Sequence, residues 1–234
     1  MIQAFKLSFD YFSANYGPYQ HSNIRIIETP AYTQQAESFS GAVTFSESNE
    51  FMLNIDDQSD VDIILYRTAH ELAHQWWGMQ LQAANVQGKN MILETLAQYA
   101  ALVVMKKKYS KEKIEQLLQK EQEVYLQAKK RYTNQEVPLE LVEKQDYIFN
   151  AKGILAMYAL QNYIGEENVN LALKRFLRDW NNSNGKLKSK TPNYPTSKEL
   201  LTYFIEVTPV SLRHKVYSLF EKTEFDSNII FSDK

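Results

Sequence analysis

The spacing of apolar residues changes character near residue 60. Before that point, short apolar runs rich in β-branched and aromatic residues are punctuated by turn formers. Residues 23–28 (which end at Thr29 and Pro30), 42–45 and 51–55 are strand candidates of this kind. Gly17-Pro18 and the Ser/Asn/Glu cluster at 46–50 read as turns. Residues 1–60 are therefore expected to be β-rich and to form a small sheet.

Beyond them the pattern is helical. The segment 56–60 offers several N-cap residues, and a helix is predicted over about 61–79. Its apolar positions, among them Ile63, Ile64, Ala73, Trp76 and Trp77, spread around much of the circumference, as in a helix buried inside a larger body. After a loop at 80–90, further helices are predicted over about 90–107, 111–132, 147–163 and 166–180. The polar segment 181–195 reads as a loop, with lysines at 186, 188 and 190 that are most simply solvated. Thr196 and Glu199 have capping-box spacing, a last helix runs from about 209 to 222, and 225–231 reads as the start of a strand. The expected fold is α+β, mainly α, with a small N-terminal sheet and a helical lobe. One domain is expected over 1–234, with the central helices at 61–110 and the lobe at 111–234, and the chain reads as a fragment of a larger protein.

Bulk properties narrow the chemistry. With 234 residues the chain has room for a sizeable core. A net charge of -2 gives no reason to expect a nucleic-acid or anionic-membrane partner. No stretch approaches the ~20 apolar residues of a membrane span. There is no cysteine, so disulfides and thiolate metal sites are excluded, and any zinc must be held by histidines and carboxylates.

Residues 70–78 read H-E-L-A-H-Q-W-W-G. His70 and His74, four apart, lie on one helical face and can hold one zinc ion, with Glu71 between them as a base toward a zinc-activated water. Polar side chains inside a buried helix need partners, and a metal supplies them. Such a site needs a third protein ligand and an open position. His21, in a turn-rich segment, and His214, in the distant last helix, are poor candidates. Glu94 is better: it is a carboxylate amid Ile92, Leu93, Leu96 and Ala97, on the helix that follows after a short loop.

Residues 70–78, followed by E-T-L-A-Q-Y-A at 94–100, resemble the gluzincin zinc aminopeptidases of the aminopeptidase N family, which typically show H-E-L-A-H-Q-W-F-G and then N-E-G-F-A-x-Y. One more residue separates the second His from the Glu here than is usual in that family. The A-N-V-Q-G segment at 84–88 is most similar to a bacterial subgroup whose peptidase domain is joined to transporter-like membrane segments. That likeness implies a full-length protein anchored in a membrane, with this chain on the extracytoplasmic face and making no membrane contact itself.

The resemblance implies a thermolysin-like zincin catalytic domain that hydrolyses a peptide substrate. One zinc ion is held by His70, His74 and Glu94, and Glu71 is the general base. It also marks two departures. The family's Y-x-K-G, whose Tyr hydroxyl stabilises the oxyanion, is matched by N-A-K-G at 150–153, with Asn150 at the Tyr position and Tyr147 one turn earlier as a substitute. The family's G-A-M-E-N, whose Glu holds the substrate amino group, should precede the strand matched by G-A-V-T-F-S-E at 41–47. Counting back places Ser38 at the Glu position. Glu37 is one residue off and faces the opposite side of a strand, and Glu47 is a candidate at the rim. Two readings stay open: an aminopeptidase-type zinc hydrolase, or a zinc-binding but catalytically weak or inactive domain that binds peptides or serves a transporter.

Overall fold

A computed structural model describes residues 1–33, 35–132, 136–181, 194–226 and 230, without the side chains of residues 60 and 61. Helix α1 (Ile2–Asn15) precedes three strands, β1 (Arg25–Thr29), β2 (Glu37–Phe39) and β3 (Ala42–Ser46). The helices α2 (Gln58–Ala73), α3 (Leu96–Lys108), α4 (Lys111–Arg131), α5 (Gly153–Ile164), α6 (Glu166–Trp180), α7 (Ser197–Val207) and α8 (Arg213–Phe220) follow. The expected α+β, mainly α, architecture is the one adopted.

The sheet order is β1-β3-β2, with β1 parallel and β2 antiparallel to β3. Central β3 buries Val43 and Phe45, while β1 and β2 are edge strands. Buried Gln75 ties the sheet to the end of α2. Its amide Nε2 donates to the Phe39 carbonyl at 2.9 Å, and its Oε1 accepts from the Gly41 N–H at 3.2 Å.

Two expectations for the first sixty residues need correction. Residues 51–55 are not a strand. After β3 the chain turns into a single π-turn, Glu47–Phe51. Buried Glu50 holds that turn, accepting from the Ser46 N–H at 2.9 Å and pairing with Arg67 of α2 at 2.9 Å. The apolar Met52 and Ile55 that suggested a strand are left exposed. Nor are residues 1–60 β-rich throughout, because α1 occupies Ile2–Asn15. Its buried Ala4, Ser8 and Phe12 recur every four residues, a helical spacing hidden by a β-prone aromatic composition. The α1 aromatics brace the end of α2. Phe9 and Phe12 pack edge-on against Trp76 at 5.9 and 5.5 Å, and Tyr16 lies 5.2 Å from Trp77.

The Asp57 side chain caps α2, accepting from the Ser59 N–H at 2.8 Å. Helix α3 is buried around most of its circumference, as is α5, and the two pack in the centre of the core. Both are entered through π-turns, Met91–Thr95 and Ile148–Lys152. These turns touch: the Thr95 hydroxyl donates to the Phe149 carbonyl at 2.6 Å. Gly153 permits the approach, since a Cβ there would sit 2.6 Å from Thr95 Oγ1. Next to it Lys152, wholly buried, donates to Glu136 at 2.9 Å and to the Thr223 carbonyl at 2.9 Å, fastening the C-terminal segment.

The capping box at Thr196 and Glu199 forms as expected. Residues 224–226 carry no regular element, and the rest of the expected strand at 225–231 lies outside the described residues apart from 230. Lysines 186, 188 and 190 lie outside them too. Among the described residues, no helix is long and apolar enough to cross a membrane.

Candidate metal centre

Helix α2 carries His70 on its last turn, and His74 is its C-terminal cap. The chain is held there by neighbours on both sides. The Trp76 indole donates to the Gly17 carbonyl at 2.9 Å, and the His74 Nδ1 lies 3.1 Å from the Trp77 carbonyl. A carbonyl only accepts, so the proton of a neutral His74 sits on Nδ1, and Nε2 presents a lone pair. That Nε2 lies 3.2 Å from His70 Nε2.

Glu94 reaches the same point from the π-turn Met91–Thr95, a local widening of the helix often found where a functional side chain must be re-aimed. Its Oε2 lies 3.6 Å from His70 Nε2 and 3.7 Å from His74 Nε2. Among the described residues these three form the one group able to hold a metal ion. Ligand atoms bonded to one tetrahedral zinc at about 2.0–2.1 Å stand roughly 3.3 Å apart, so the observed spacing fits. Three acceptor atoms facing one another in a part-buried site are mutually repulsive unless a cation lies between them. The donor set, two imidazoles and a carboxylate, suits zinc.

Burial pushes the Glu71 carboxyl up to about 7, although His70 and a hydrogen bond from Ser38 pull it down. Burial, with the charge of His70, lowers His74 below its ordinary value, which favours the neutral, ligating form. Burial alone would raise Glu94. The adjoining His70 and His74 outweigh it and hold that carboxyl low. Burial thus biases His74 toward the neutral form, and the neighbouring histidines bias Glu94 toward the carboxylate, the forms in which each can bind a divalent metal.

The sequence model of the peptidase family M1 domain matches residues 1–193. The chain belongs to peptidase family M1. It is 29% identical over 176 residues to "Probable aminopeptidase 1" of Sulfurisphaera tokodaii, a match covering 71% of this chain and 22% of that protein. Its fold is that of the M1 zinc metallopeptidase from Deinococcus radiodurans, with a TM-score of 0.66 at 18% identity over 96% of this chain and 44% of the other. A point mutant of that Deinococcus protein, solved with a Tyr-Ser-Ala substrate, matches equally, with a TM-score of 0.66 at 17% identity over the same shares. The chain thus spans less than half the length of these relatives.

The remaining candidates divide. Ser38, on β2, turns toward α2. Its hydroxyl is hydrogen-bonded to the Glu71 carbonyl and lies 3.3 Å from Glu71 Oε2. Glu37, next to it, is exposed, as strand alternation requires. Glu47 is half-buried where β3 runs into its π-turn. Asn150 lies on the π-turn Ile148–Lys152, and its Oδ1 accepts from Gln98 Nε2 at 3.0 Å. Tyr147 stacks on Tyr132 at 5.9 Å and Tyr125 at 6.4 Å, the surroundings of a packed aromatic. His21 bonds Ser40 at 2.8 Å, and His214 sits on α8; neither joins the metal group. Sequence reasoning missed Glu50, Tyr66 and Gln98. For the last two a signal existed: Tyr66 stands four residues before His70, and Gln98 four after Glu94, so each shares a helical face with a ligand.

Proposed function

We propose that this chain is the catalytic part of a zinc peptidase that hydrolyses peptides by general-base chemistry, by family an aminopeptidase type. The observation that carries the reading is the convergence of His70, His74 and Glu94 within 3.2–3.7 Å, with the Glu71 carboxylate on the adjoining turn. Zinc, when bound, supplies a Lewis acid for the scissile carbonyl and lowers the pKa of a water toward ~7. Glu71 takes a proton at its carboxylate and delivers it to the leaving amine. A carboxylate at this position suits both transfers. Ser38, bonded to the Glu71 carbonyl, stands 3.3 Å from that carboxylate.

A second reading is favoured by two observations. Asn150 stands where the family has a Tyr, and Ser38 stands where it has a carboxylate for the substrate amine and is spent on Glu71. Both point to a domain that binds zinc and peptide but turns over slowly or not at all. Loss of an oxyanion donor typically costs ~10²–10³ in rate.

Metal analysis and a peptide panel separate these readings. The first expects about one zinc per chain and hydrolysis of unblocked aminoacyl peptides that stops in Glu71→Gln. A wild type that binds zinc but cleaves nothing, and gains turnover in Asn150→Tyr, supports the second. A purified chain that takes up no zinc overturns both.

A further inference from the structure

Three neutral polar side chains form a hydrogen-bonded chain that starts one helical turn from the metal ligands. Tyr66 is one turn before His70 on α2, and Gln98 is one turn after Glu94 on α3, each on the order of 6 Å along its helix from the ligand. The Tyr66 hydroxyl donates to Gln98 Oε1, and Gln98 Nε2 donates to Asn150 Oδ1 at 3.0 Å. Asn150 Nδ2 makes no hydrogen bond among the described residues, and Asn150 is half-buried.

The chain of bonds has a direction, and Tyr66 sets it. Burial keeps the phenol protonated. Its proton needs an acceptor, and the one it meets is Gln98 Oε1. That choice turns the Gln98 NH2 toward Asn150. Two NH2 groups cannot bond each other, so Asn150 must offer its oxygen and point its own NH2 away. Reversing both amides would keep two bonds but leave the phenol proton of part-buried Tyr66 without its acceptor, which is disfavoured. An amide at Asn150 left to itself would have no such preference, because its two ends are nearly the same shape.

We propose that Tyr66 and Gln98 are positioning residues that fix the polarity of the Asn150 amide, presenting its N–H groups to the oxyanion formed on the scissile carbonyl. The inference rests on the peptidase reading above. It gives Asn150 a defined donor where the family uses a Tyr hydroxyl, and it names the residues on which that donor depends.

Gln98→Glu tests it. A carboxylate accepts from both neighbours, so it draws the Asn150 NH2 inward and turns the oxygen outward. Expected are a fall in kcat of about 10²-fold with KM within about threefold, a similar loss of affinity for a phosphinic peptide analogue, and unchanged zinc content. Tyr66→Phe, which lets both amides flip, should cost kcat severalfold. NMR exchange reads polarity without turnover. The Asn150 side-chain NH2 should exchange rapidly with solvent in the wild type and be protected in Gln98→Glu. A protected NH2 in the wild type, or full kcat in a folded, zinc-loaded Gln98→Glu protein, overturns the proposal. A wild type with no zinc or no hydrolysis removes the peptidase reading instead, and with it the oxyanion role.

Discussion

The metal side and the substrate side of the candidate site are built in different ways. His70 and His74 are one turn apart on a single helix, and Glu94 enters from the next element along the chain. Their geometry follows from helical spacing and one π-turn. The substrate side is assembled across the fold. Ser38 of β2 meets Glu71 over 33 residues of sequence, and Asn150 meets Gln98 over 52. The locally built side carries the three candidate ligands, while the side built at long range carries Asn150 and Ser38, the two positions we propose to depart from the family pattern. A metal site can thus be intact while the groups that handle substrate are exchanged, because the two draw on different contacts.

Glu71 belongs to both sides, so its replacement tests their separation most strongly. Glu71→Gln should lower turnover by about 10²–10⁴ while zinc content stays at that of wild type. Loss of zinc in that variant would show that the sides are not separable. The brace under the metal side comes next. Phe12→Ala removes a fully buried ring packed on Trp76 and should cost about 3–5 kcal/mol in urea unfolding, with weaker zinc retention. Unchanged stability would mean that α1 does not support the site. On the substrate side, Gly153→Ala drives a Cβ to 2.6 Å from Thr95 Oγ1 between the two π-turns. It should cost about 1–3 kcal/mol of stability and reduce turnover more than zinc affinity. Ser38→Ala removes a donor to the base and should lower kcat about tenfold, the equivalent of about 1.4 kcal/mol, with zinc unaffected.

What was legible in the sequence follows the same division. H-E-x-x-H and most of the helices could be read because each rests on a spacing within one element, and Glu94 because it is a carboxylate amid apolar residues on the next one. The strand expected at 51–55 failed because Glu50, three residues after Glu47, turns the chain away through contacts with Ser46 and Arg67. Helix α1 was hidden because aromatic residues that pack between helices look like strand residues when counted by type. Counting back along the chain singled out Ser38, yet nothing in its neighbours announces a bond to Glu71. The π-turns that carry Glu94 and Asn150 leave no mark in a binary pattern, since the helices they lead into, α3 and α5, are apolar nearly all round and show no stripe to be shifted.

The smallest expected effect concerns how α1 is fastened to the metal side. Glu166, at the start of α6, accepts from Lys106 and Lys107 of α3 at 2.8 Å each and from the Tyr11 hydroxyl of α1 at 3.0 Å. Burial would raise its carboxyl, but the hydrogen bonds from the two lysines and the charge of Lys106 outweigh this and hold it below the ordinary glutamate value. A carboxyl whose folded pKa is depressed contributes stability that is fully present above its unfolded value near ~4.3 and is lost as pH falls through the lower folded value. Because the cluster is partly exposed, the contribution should be about 1 kcal/mol or less. Thermal unfolding of Glu166→Gln should therefore lie slightly below that of the wild type at pH 7, and the two should converge as pH drops below about 4. A gap that persists undiminished at pH 3 would assign the role of Glu166 to shape rather than charge. The tie between α1 and the metal helices would then be a packing contact, like Phe12 on Trp76.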